Sequence, residues 1–441
     1  MRRKIMTRHP ILAIALVAIA IHTSLARADS LGEAIADDYP YLESLFKHLH
    51  ANPELSMQEF KTSDRLAKEL QQLGFKVARE IGKTGLAATL HNGDGPMLLI
   101  RADMDGLPVQ EKPGLDYAST QRQVNLEGKD MPVMHACGHD MHVTSLVGVA
   151  RRMVELKDQW SGTLMLVGQP GEEALGGAKA MVTDGLYERV GHPDFALALH
   201  VIAKHPAGKI AFSDGLMYSS ADTVRINVRT RATHGASPHR GHDPVVIGSQ
   251  IVLALQNIVT REINPIEPAL ITVGAFNAGT APNVITDLAR LDITVRANSE
   301  ATRAQLLKSI DRVATNTARA AGIPEDMLPE VIVSPDGAPT TTNDAELARR
   351  VRGAMERGMG ADAFVDWHQT DMGAEDFPDM VNVTPPIPSV YFEVGGTAPE
   401  QLASGEWADH HSPLFRIEPE VSIKAGVEAM TLAALELLRK D

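Results

Sequence analysis

The chain has one cysteine, Cys137, among 441 residues. No disulfide can form within it, which excludes a small fold held together by bridges. Positive charge is also short: 42 Lys and Arg against 56 Asp and Glu leave a formal charge of −14. With no basic cluster to neutralise phosphates, the composition argues against a nucleic-acid partner. Internal repeats and low-complexity tracts are missing too, and 44% hydrophobic with 22% charged residues is the balance of a globular chain rather than a disordered one. The apolar run Ile11 to Ile21 falls short of the ~20 residues a membrane-spanning helix needs. Preceded by Arg2, Arg3 and Lys4 and followed by Ala26-Arg27-Ala28, it reads as a signal peptide over residues 1–28, cleaved before Asp29. The expectation is an exported protein, periplasmic or secreted, with no membrane attachment after cleavage. The paired arginines leave the export route open. An unpaired cysteine in an oxidising compartment needs a reason, and a metal-held thiolate supplies one.

At 441 residues a single core is exceeded, so two domains are expected. Met97 to Ala102, Thr163 to Val167 and Phe195 to Leu199 read as strands that alternate with helices at Ser63 to Leu73, Ser145 to Leu156 and Ala178 to Asp184. That alternation predicts an α/β fold with a mainly parallel sheet and helices on both faces. From about Ala221 the pattern changes. Strand-like Thr223 to Arg229, Ala269 to Ala275 and Ala289 to Arg296, with helices at Val245 to Ile258 and Thr302 to Ala320, predict an inserted α+β layer domain. Gly322-Ile323-Pro324 and Pro329 mark the return. The expected division is catalytic domain 29–218, inserted domain 219–328 and catalytic domain again 329–441.

The chemistry concentrates in Val133 to His142, VMHACGHDMH, where Cys137, His135, His139, Asp140 and His142 offer thiolate, imidazole and carboxylate within a few positions. Alone, a cysteine is most often a small buried hydrophobe. Contiguous with Gly-His-Asp, it points to a borderline-soft divalent metal. Three predicted strands deliver further donors to one sheet edge: Met97 to Ile100 runs into Asp103 and Asp105, Thr163 to Val167 into Glu172-Glu173, and Phe195 to Leu199 into His200. Ligands of open α/β sheets bind at the carboxyl ends of strands. Adjacent acids on one backbone point different ways, so one of the glutamates can ligate metal while the other acts as a general base. With Cys137, His139, His200 and one of His410-His411, five ligands suffice for two metals.

In order and spacing, the segments HLHANPELSMQE, IRADMDGLPVQE, MHACGHDMH, GQPGEEALGGAKAM, LHV, THGASPH, APNVITDLARLDITVR, MGAEDF and HHSPLF resemble the M20 metallopeptidases. The likeness is to the amidohydrolase branch of hippurate hydrolases, N-acyl-amino-acid amidohydrolases and auxin-conjugate hydrolases. It implies hydrolysis of the amide bond of N-acyl-amino acids or small peptide-like conjugates, with two divalent cations per subunit (manganese, zinc, cobalt or nickel) and a homodimer formed through the inserted lid domain. By motif matching it implies Cys137, His139, Glu173, His200 and His411 as ligands and Glu172 as general base. His234 would reach a neighbouring subunit's site as an oxyanion donor, while Asn283 and Arg296 would hold the substrate carboxylate. Asp103, Asp105 and Asp140 would orient the ligands, and Arg101 and Glu375 would shape the pocket. A dipeptidase or aminopeptidase of the same family, or a non-catalytic metal-binding protein, are the competing readings. His135, His142, His239 and His242 receive no role. The run Thr230-Arg231-Ala232-Thr233 before His234 departs from the Gly-rich pattern common at that point.

Overall fold

The computed structural model describes residues 11–112 and 114–440, with side chains from residue 31 onward. The signal segment expected over 1–28 therefore lies outside the described residues up to position 10 and outside the described side chains beyond it. Among the described residues no helix is long and apolar enough to cross a membrane.

Seven strands form the larger sheet, in the order Lys76–Ile81, Gly85–Asn92, Gly162–Gln169, Met97–Asp103, Phe195–Pro206, Ser389–Thr397 and Ile210–Ala211. The middle four run parallel and the outer ones antiparallel. Parallel strands are covered on both faces and so read as near-continuous apolar runs; Leu164 to Val167 and Ala196 to Ala198 are fully buried. Strand Ser389–Thr397 is buried at every position. Helices Ile11–Ala51, His139–Glu155, Ala345–Met359 and Pro419–Leu437 pack together beside this sheet, while Gly177–Thr183 and Leu186–Val190 contact strands Gly162–Gln169 and Gly85–Asn92 separately.

The smaller sheet has the order Ala269–Ala278, Leu288–Ala297, Ser220–Arg229 and Glu330–Ala338, all antiparallel. Strand Leu288–Ala297 alternates strictly between buried and half-exposed positions, the signature of a sheet with one covered face. Helices Pro244–Asn257 and Glu300–Ala320 cover it, closing a core of their own around Ile226, Ile251, Leu291 and Ile310. Both helices begin at capped residues: Asp243 accepts from Val245 and Val246 N–H, and Ser299 from Thr302 N–H. The return expected at residue 329 is corrected here. Glu330–Ala338 completes the smaller sheet, so the chain rejoins the larger body only after it. Its exposed, Pro-containing sequence hides the strand.

Candidate active site

The site forms where the parallel strands end. Strand Met97–Asp103 pairs with Phe195–Pro206 only as far as Ala198, and the longer strand carries His200 past its neighbour. Helix His139–Glu155 starts six residues earlier than the apolar periodicity predicts, so His139 stands at its first position. Gly138 makes this possible. Its φ is +87°, and a Cβ there would lie 2.3 Å from Val201 Cγ1. The turn bearing Glu172-Glu173 likewise needs Gly177, where a Cβ would overlap Pro170 O.

These elements bring together six of the expected residues, Cys137, His139, Glu172, Glu173, His200 and His411. Cys137 Sγ lies 3.4 Å from His200 Nε2, and His200 Nδ1–H donates to Val201 O, so the Nε2 lone pair faces the sulfur. His139 Nδ1–H donates to Asp105 at 3.2 Å. Its Nε2 is buried without a partner, 3.9 Å from Glu172 Oε2 and 4.0 Å from Glu173 Oε1. His411 Nε2 approaches Glu173 Oε1 at 3.3 Å. Two potential ligand groups share the cysteine: Cys137, His139 and His200, and Cys137, Glu173 and His411. A third joins His139 to Glu172 and Glu173. A cavity of about 390 Å3 opens on them, lined by Cys137, Glu172, Glu173, His200, Arg296 and His411 among others.

The donor set fits divalent cations on two observations. His139 Nε2 is buried without a hydrogen-bond partner, and the buried Glu173 Oε1 has only the 3.3 Å approach of His411, the state expected of ligand atoms. The local charge is also unbalanced. Burial, then neighbouring Glu375 and Glu173, push the Glu172 carboxyl well above its usual range, and burial with Glu173 and Glu172 raises the Cys137 thiol. Cations at these groups would reverse both shifts.

Around the cluster stands a scaffold that sequence reading captured in part. Asp105 accepts from the backbone N–H groups of Glu172 and Glu173 at 3.2 and 3.1 Å and from Ser56, so one carboxylate positions both glutamates and His139. Arg101, fully buried, donates to Asp103, Glu375 and Gln169; Tyr391 O–H donates to the other Glu375 oxygen. His142, given no role by the sequence, accepts from Val201 N–H through Nε2 at 2.8 Å. Its Nδ1–H donates to Asp103 at 2.5 Å. Asp140 pairs with His50 at 2.7 Å, and the other His50 nitrogen meets Glu111 at 3.1 Å. His50 escaped sequence reading although it lies in HLHANPELSMQE; the clue available was a histidine in a segment otherwise patterned as a buried helix. His135 is buried with both ring nitrogens unpartnered, and nothing in the structure explains it.

The inserted domain contributes Arg296 to the cavity. Its guanidinium is half-buried, with Met372 O at 3.5 Å as its contact and no carboxylate pair among the described residues. His234 and Asn283 sit beside each other, through the pairing of Thr233–His234 with Val284–Ile285 and a Gly235 N–H to Asn283 O bond of 2.8 Å. Both are exposed and outside the lining of this cavity.

The chain is similar over 336 residues to the hippurate hydrolase of Campylobacter jejuni, at 35% identity, covering 76% of this chain and 83% of that one. A solved structure from methicillin-resistant Staphylococcus aureus superposes with a TM-score of 0.82 at 29% identity, over 93% of this chain and 100% of that chain. A dinuclear metal-binding peptidase of family M20 from Bacillus subtilis gives a TM-score of 0.73 at 26% identity, over 91% and 99%. Residues 99–436 match the profile of peptidase family M20/M25/M40, and with the site described above this chain belongs to that family of metal-dependent peptidases and amidohydrolases.

Proposed function

We propose that the protein is a dinuclear metalloamidohydrolase that removes the acyl group from N-acyl-amino acids or small peptide-like conjugates. The observation that carries this reading is the pair of ligand groups sharing Cys137 with Glu172 beside them in one cavity. In it, Cys137, His139, Glu173, His200 and His411 hold two divalent cations, manganese, zinc, cobalt or nickel. Bound there, the cations supply Lewis acidity and lower the pKa of water. The rest is done by the chain. Glu172 takes a proton from the attacking water and gives it to the leaving nitrogen. Arg296, unpaired and half-desolvated, binds the substrate carboxylate through its planar fork, with Asn283 as its helper.

His234 and Asn283 act from a second copy in a dimer formed through the inserted domain, His234 donating to the developing oxyanion. That domain exposes an edge strand, Ala269–Ala278, and apolar Val246 and Leu253 on its helix, a surface suited to association. An acyl group is favoured over a free ammonium at the scissile end because two of the cavity acids that could bind an ammonium are engaged, Glu375 by Arg101 and Tyr391 and Asp371 by Lys204, which leaves the exposed Asp409 at the rim. The basic residues Arg2, Arg3 and Lys4, the apolar run Ile11 to Ile21 and Ala26-Arg27-Ala28 support reading residues 1–28 as an export signal.

The test is a metal-reconstituted preparation, with bound metal counted, assayed on N-acetyl and N-benzoyl amino acids and on free-amine dipeptides. Two equivalents of metal and turnover of the acylated series are expected. Cleavage confined to free-amine dipeptides would replace this reading with the dipeptidase one.

A further inference from the structure

His410 and His411 are adjacent in sequence but do different things. His411 adopts a left-handed backbone, φ 63°, with its N–H bonded to Ala136 O at 2.8 Å. The two imidazoles meet different partners beside Cys137. His411 faces Glu173. His410 packs on Phe415 with ring centroids 4.7 Å apart.

The backbone decides the His410 tautomer. Strand Phe195–Pro206 outruns strand Met97–Asp103 after Ala198, and two of its later amides meet imidazoles instead of a neighbouring strand. Val201 N–H donates to His142 Nε2, and Ala203 N–H donates to His410 Nε2 at 3.0 Å. An amide only donates, so Nε2 of His410 must carry the lone pair. The proton of the neutral ring then sits on Nδ1. Nδ1 faces Cys137 Sγ at 3.7 Å. A metal on Nδ1 would require the proton to move to Nε2, where it would oppose the Ala203 N–H.

We infer that His410 is a positioning residue for the Cys137 thiolate: held by Ala203 N–H, it donates its Nδ1–H to the sulfur and so sets how strongly that sulfur binds metal. The inference rests on the proposed role of Cys137 as a ligand. It also explains why one of two consecutive histidines is free to ligate and the other is not. A hydrogen bond to a ligating thiolate stabilises the sulfur lone pairs, and loss of such outer partners typically costs ~10–100-fold in metal affinity.

Cobalt(II) alone is the probe, titrated into the full metal-free chain and followed by the thiolate-to-cobalt charge-transfer absorption. Wild type should show the band and Cys137→Ser should lose it. In His410→Leu the band should move to lower energy and affinity fall by ~10-fold, with the number of cobalt ions unchanged. His410→Asn, whose amide can still present an N–H, should restore much of both and guards against a leucine variant that folds poorly. A band unmoved in both variants overturns the inference, as does loss of one cobalt from His410→Leu, which would make His410 a ligand. No band in wild type overturns the ligand reading of Cys137 instead, an outcome visible before any His410 variant is made.

Discussion

Glu172 and His50 show how one residue's surroundings set what it can do. Glu172→Gln keeps shape but cannot accept a proton. Metal content should stay at two while kcat falls by ~10²–10⁴-fold, checked by metal analysis and steady-state kinetics on the same sample. His50 is a structural charge. Burial opposes its protonation, but Asp140 and Glu111 raise it to about 10 from an ordinary 6.5. Since the folded value is the higher, the pair contributes fully below pH ~6.5 and is lost as pH rises towards ~10. Urea midpoints at pH 6, 8 and 10 should fall in wild type, and the fall should be much shallower in His50→Leu. That variant should cost about 3–5 kcal/mol at pH 6 because it strands two buried acids. A wild-type midpoint flat across this range would remove His50 from the account. The residues legible in the sequence were those in contiguous motifs, such as Cys137 with His139 and Glu172 with Glu173. His142, His410 and His50 were not, because their roles are conferred by groups far along the chain: Val201 and Ala203 amides, Asp103 and Asp140.

Among the elements, the start of helix His139–Glu155 carries the most consequence. Gly138→Ala would place a methyl against Val201 in a backbone region unfavourable to it. The expected loss is about 1–3 kcal/mol from packing and strain combined, with weakened metal retention because His139 follows directly. Thermal melting with and without added metal measures both, and a variant matching wild type in each would show that the close approach relaxes without cost. The buried strands were legible as apolar runs. The helix start was not, since His139, Asp140 and His142 break the apolar period that marks a helix, yet are buried through specific partners. Strand Glu330–Ala338 was hidden for the opposite reason, its side chains being largely exposed.

Over the whole molecule, two bodies with separate cores are joined in one chain, and the proposed reaction would draw residues from both. If His234 acts across a dimer, mixing Glu172→Gln chains with His234→Ala chains should restore activity that neither has alone. Each hybrid then holds one site with an intact Glu172 and an intact His234. Mixtures no better than their parents, under conditions where subunits exchange, would return His234 to its own chain. The two-body plan was legible from the change in strand pattern near Ala221, whereas the position of its far boundary depended on a strand whose side chains are largely exposed.

Arg296 sits on a strand hydrogen-bonded on both sides within the smaller sheet, while the proposed ligands and Glu172 belong to the larger body. A carboxylate in its grip would therefore be a strut between two separately built halves. Its length, from carboxylate to scissile carbonyl, would set the distance at which those halves come to rest. On that view the enzyme gauges its substrate as a caliper does, by span, before its chemistry meets the acyl group.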